Sequence, residues 1–135
     1  MAKKTVALLV GVVHYPINGY PPLPLCAHDI EAIRDAMVSG LNVSNSDIVI
    51  SGTNGVVTAK DLITDLTEIA KTATKDDCFI FYFTGHGMRN GIALSDTNIA
   101  LNSLITVIDS IPAKSKVIML DCCQAGDFSV GESPV

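Results

Sequence analysis

The chain has 135 residues, 48% of them hydrophobic and 17% charged, with a formal charge of −5. This length supports one domain with a real core, and the apolar fraction is too high for intrinsic disorder. The acidic balance argues against nucleic-acid binding, which calls for clustered Lys and Arg, and no run approaches the roughly 18 apolar residues of a membrane span.

The opening residues MAKKTVALLVGVV set two lysines before an apolar run, as a signal peptide does. The run soon meets His14, Tyr15 and Pro16 and lacks a small-residue cleavage site, so it reads as a buried strand over 5–13. A Pro/Gly-rich loop, HYPINGYPPLPL, follows over 14–25. From Cys26 to about Leu41, the residues Ile30, Ile33, Met37 and Leu41 fall at helical spacing, with Gly40 as a nearby stop. DIVISG (47–52) is a second strand. Thr58 and Asp61 form a capping box that opens a helix to about Thr74 through Leu62, Leu66, Ile69 and Ala73. CFIFYFTG (78–85) is a third strand, a short polar connection spans about 91–98, and a helix covers about 100–110. KVIMLDCC (116–123) is the fourth strand.

Continuously apolar strands alternating with helices imply an α/β fold with a mostly parallel sheet covered on both faces. Such sheets bind ligands at the carboxyl ends of their strands. His86, the pair Cys122/Cys123 and the segment from Cys26 to Asp29 each follow a predicted strand end, so three reactive groups distant in sequence meet at one edge.

There are four cysteines, Cys26, Cys78, Cys122 and Cys123, and no CxxC pair, so no zinc motif is present. Without an export signal they read as free thiols in a reducing cytoplasm, and Cys78, opening a strand, reads as structural. His86 stands between Gly85 and Gly87, where backbones approach closely, and an imidazole exchanges protons with a thiol near neutral pH. Read alone, it is equally an idle loop histidine. A phosphate loop is a weaker reading, because Asn90 stands where GxGxxG needs its third glycine and no clear helix follows. DCCQAG, read alone, is a buried vicinal pair beside a turn aspartate. A histidine and a cysteine 37 residues apart, each after a strand, together indicate nucleophilic chemistry.

The segments FYFTGHG and VIMLDCCQAG resemble the caspase–metacaspase superfamily, and the cysteine segment is closer to the metacaspase pattern D-x-C-x-x-G. That pattern sets Asp121, Cys123 and Gly126 in register, with Cys122 where the family often has a small residue. GVVHY resembles the family's first strand and its exit, and CAHDI the segment that holds a pocket carboxylate. The likeness covers nearly the whole chain and corresponds to the large (p20-like) half of the catalytic unit, within a caspase-like three-layer sandwich of about four core strands.

The resemblance implies His86 as general acid–base and Cys123 as nucleophile, with the backbone N–H groups of Gly87 and Cys123 as the oxyanion hole. It implies no third orienting residue. Asp29 and Asp121 match metacaspase carboxylates that line the S1 pocket, with Cys26 and Thr84 as lesser neighbours. Two carboxylates there select a guanidinium or ammonium, hence cleavage after Arg or Lys. Their structural readings are a carboxylate at a helix N-terminus and a turn residue. Aspartate specificity would need arginines in S1, and the chain has only Arg34 and Arg89.

Asp96 is the lone carboxylate of MRNGIALSDTNIALNS, too few for calcium, so no metal or cofactor is expected. The expected organisation is a catalytic domain over 1–126 and a flexible tail over 127–135. The tail leads toward a missing p10-like small subunit, a separate chain or a product of the same precursor, that pairs beside 116–123. The rival readings are a caspase-fold scaffold without turnover and, last, a flavodoxin-like protein.

Overall fold

The computed structural model describes residues 4–124, with Cys123 and Gln124 described by backbone alone. The expected domain end at 126 and the tail over 127–135 lie outside the described residues. The elements run β1 (Thr5–Gly11), α1 (Leu25–Leu41), β2 (Ile48–Ile50), α2 (Ala59–Thr72), β3 (Cys78–Met88), β4 (Gly91–Ala93), β5 (Asn98–Ala100), α3 (Leu101–Asp109) and β6 (Ser115–Gln124).

Four strands form a parallel sheet in the order β2-β1-β3-β6, as the apolar runs predict. The residues expected to be a polar connection form the antiparallel strands β4 and β5, which extend the sheet from Gly87 and Met88. Hence, among the described residues, the sheet is mixed and has six strands.

Alternation along β3 separates two cores. Phe79, Phe81 and Phe83 face α2 and α3, where they pack with Leu62, Leu66, Leu104 and Ile108. Ile80 and Tyr82 face α1 through Ile30 and Met37. Helices on both faces of the sheet complete the three layers. Each buried phenylalanine contributes roughly 1.5–3 kcal/mol relative to exposure.

The ends of the helices follow local chemistry. The Thr58 and Asp61 capping box is present, with both hydrogen bonds at 3.1 Å, and Asp96 Oδ1 accepts the Ala59 N–H at 3.0 Å. Helix α1 runs through Gly40, expected to stop it, and ends at Asn42, whose φ of 56° supplies the left-handed cap.

At the amino end of β3, Asp77 joins three segments. Its carboxylate accepts the N–H groups of Lys4 (3.2 Å) and Thr74 (2.9 Å), and its carbonyl accepts that of Lys114 (2.8 Å). The Thr74 N–H is the main cause that holds this carboxyl below its ordinary 3.8, although burial pulls the other way.

Candidate active site

Strand β3 continues past its expected end at Gly85, because β6 pairs with it as far as Gly87 and Gln124. His86 therefore lies within a strand rather than after one. It is 3% exposed. Its N–H donates to Tyr15 Oη at 2.8 Å, and its Nε2 lies 2.8 Å from the Pro21 carbonyl oxygen. A carbonyl only accepts, so Nε2 is the N–H donor to it, and Nδ1 is the ring nitrogen left for another partner. Among the described residues, that buried Nδ1 has no hydrogen-bond partner. The rings of Tyr15 and Tyr20 flank the imidazole, with centroids at 4.9 and 5.4 Å.

Pro21 thus acts as an orienting group for which the sequence reading left no place. A backbone carbonyl has no letter of its own, and the only signal was the proline-rich loop itself.

The two glycines around His86 have steric causes. A Cβ on Gly85 would stand 2.7 Å from Tyr15 Oη, and one on Gly87 would stand 2.6 Å from Cys122 Cβ and 2.7 Å from its Sγ. Cys122 thus lies over Gly87 and packs against the phenylalanine core. In the β3–β6 ladder, Cys122 pairs with Gly85 and Cys123 with His86.

The expected pocket residues come together on the α1 side. Thr84 Oγ1 donates to Asp29 Oδ2 at 3.0 Å and lies 3.4 Å from the buried Cys26 Sγ. Thr84 also pairs with Asp121 in the ladder. Tyr82, missed because it sits in an apolar strand run, donates to Asp121 Oδ2 at 3.1 Å. Burial, then the hydrogen bond to Asp121 and the charges of Asp121 and Asp29, push the Tyr82 phenol up to about 12. Both carboxylates therefore act on one hydroxyl. The two salt bridges recorded among the described residues, Lys4–Asp47 and Lys71–Glu68, involve neither of them.

Asp96 is taken up in capping α2, and its neighbour Ser95 donates to the His14 carbonyl at 2.8 Å and accepts the Val57 N–H at 2.8 Å. Among the described residues, no disulfide joins Cys26, Cys78 and Cys122, and no helix is long and apolar enough to cross a membrane. Among the described residues, two cavities lie elsewhere: about 590 Å³ around Lys4, Asp77 and Lys114, and about 640 Å³ between Arg34 and Ile48. Neither is lined by His86, Thr84 or Asp29, so convergent chemistry rather than volume marks the site.

The solved structure described as pro-sf-caspase-1 is similar in fold, with a TM-score of 0.71 at 14% identity over 97% of this chain. The match takes in 55% of that protein, so this chain spans about half its length. No curated protein matches significantly. The family model for the caspase domain matches residues 4–134, nearly the whole sequence, and the chain belongs to that family.

Proposed function

We propose that this chain is the large-subunit part of a metacaspase-type cysteine endopeptidase that cleaves after Arg or Lys in the reducing cytoplasm. The observation that carries the reading is the ladder pair His86–Cys123, together with a buried Nδ1 on an imidazole tied through Nε2 to Pro21.

In this mechanism His86 Nδ1 takes the Cys123 thiol proton, and the thiolate attacks the scissile carbonyl carbon. The carbonyl electron pair moves to oxygen and is held by the N–H groups of Gly87 and Cys123. Collapse expels the amine, which takes the proton from the imidazolium and leaves a thioester. His86 then deprotonates a water that attacks the thioester, and the thiolate leaves from the resulting acid. Asp29 and Asp121 bind the substrate's cation through charge-assisted hydrogen bonds.

The cleft is completed by a p10-like small subunit pairing along β6. That strand has only β3 beside it among the described strands, and Val117, Met119 and Leu120 are 43%, 37% and 39% exposed. An open apolar edge of this kind invites pairing with another chain.

The test is an irreversible peptide probe with arginine at P1, applied to the chain co-expressed with the small subunit. Labelling is expected on Cys123 and is lost in His86→Ala. Absence of labelling favours the scaffold reading, and labelling on Cys122 would overturn the assignment of the nucleophile.

A further inference from the structure

Tyr82 raises a question that packing does not answer. Its neighbours at 79, 81 and 83 are phenylalanines, and a phenylalanine would fill its place on the α1 face equally well. Tyr82 is 5% exposed. A hydroxyl at such a place is costly unless it finds a partner. Its partner is Asp121. In the ladder Tyr82 stands opposite Met119, and Asp121 is two rungs further on, opposite Thr84. The phenol therefore reaches forward along the sheet to the pocket.

We propose that Tyr82 is a positioning residue for substrate specificity: it holds Asp121 by one oxygen so that the other faces the cation of a basic substrate. This rests on the pocket reading above. Thr84 does the same for Asp29, holding Oδ2 from the rung it shares with Asp121. Both carboxylates are thus fixed by neutral donors. A lysine or arginine in those places would orient them as well but would cancel the charge that the substrate has to meet. Asp121 is exposed near the end of an edge strand, and without the phenol its carboxylate is free to rotate. A phenol pushed up to about 12 keeps its proton at every working pH, so it remains a donor.

The test measures binding of the fluorescent amidinium p-aminobenzamidine to the chain co-expressed with the small subunit, which needs neither turnover nor Cys123. The wild type is compared with Tyr82→Phe, Asp121→Ala and the double variant. Tyr82→Phe is expected to weaken binding about fivefold, as loss of one hydrogen bond does, and Asp121→Ala about tenfold or more. In the Asp121→Ala background, Tyr82→Phe should have no further effect, because it acts through that carboxylate alone. A merely structural tyrosine would weaken both backgrounds alike, and that result, or wild-type affinity in Tyr82→Phe, overturns the proposal. Phe keeps the ring, and circular dichroism checks the fold. Failure of the wild type itself to bind the probe removes the pocket, and the role of Tyr82 falls with it.

Discussion

The two ends of β3 hold polar groups in opposite conditions. At the amino end, both carboxylate oxygens of Asp77 and its carbonyl are taken by backbone N–H groups from three segments. At the carboxyl end, Asp29 and Asp121 each accept one neutral hydroxyl, and among the described residues His86 Nδ1 accepts nothing. Buried polar groups are ordinarily satisfied, so the buried His86 Nδ1, without a partner among the described residues, needs a reason other than stability. The amino end ties the sheet together, and the carboxyl end is where the proposed substrate would bind.

The sharpest way to break this contrast is to remove the open groups. Cys123→Ala and His86→Ala should each lower kcat/KM on an arginine peptide by about 10³-fold or more, measured in the presence of the small subunit. Cys122→Ala should keep most of the activity. If Cys122→Ala abolishes turnover and Cys123→Ala does not, the nucleophile has been misassigned.

Next come the pocket carboxylates. Asp29→Ala and Asp121→Ala should cost about 2–5 kcal/mol against arginine peptides and much less against neutral ones, with little change in melting temperature. An unchanged arginine-to-neutral ratio in both would remove them from specificity.

The apolar edge offers a third test. The isolated chain should be oligomeric, insoluble or inactive, and Val117→Lys with Met119→Lys should make it monomeric on a sizing column while blocking its complex with the small subunit. Full activity from an isolated monomer would end the two-subunit reading.

The smallest effect belongs to the closed end. Asp77→Asn should lower stability by about 2 kcal/mol and leave the arginine-to-neutral ratio untouched. Its pH dependence has a definite sign. The folded pKa is depressed, so the contribution of Asp77 is full above the ordinary 3.8 and is lost as pH falls through the lower folded value. Urea titrations should therefore show a shallower acid loss in Asp77→Asn than in the wild type. Equal slopes would mean that another carboxylate sets the acid limb.

What could be read in advance followed from how strongly each feature marks the sequence. Three of the four parallel strands are long apolar runs, β2 is short but is the unbroken apolar stretch Ile48–Ile50, and Thr58 with Asp61 is a local motif that needs no tertiary context, so these were legible. Strands β4 and β5 have three residues each, too few for any period to register. Gly40 was a reasonable stop for α1, but Asn42 provided the left-handed residue that the turn required. Thr84, Asp29 and Asp121 were named from family likeness, and the structure brings them together. The carbonyl of Pro21 and the hydroxyl of Tyr82 escaped notice because one belongs to the backbone and the other hides among core aromatics.

The alternation of β3 has a consequence for which changes the chain tolerates. Phe79, Phe81 and Phe83 occupy one set of positions, and Ile80, Tyr82, Thr84 and His86 occupy the set between them. Shifting the strand by one residue exchanges the two sets, turning phenylalanines toward the pocket and the polar side chains toward the core. A single-codon deletion anywhere from Phe79 to Phe83 should therefore eliminate fold and chemistry together. The exposed stretch at Ser44 and Asn45 sits outside any strand ladder, and a codon added there changes no register. Lineages of this protein should accordingly vary in length at such stretches and stay constant in length along β3.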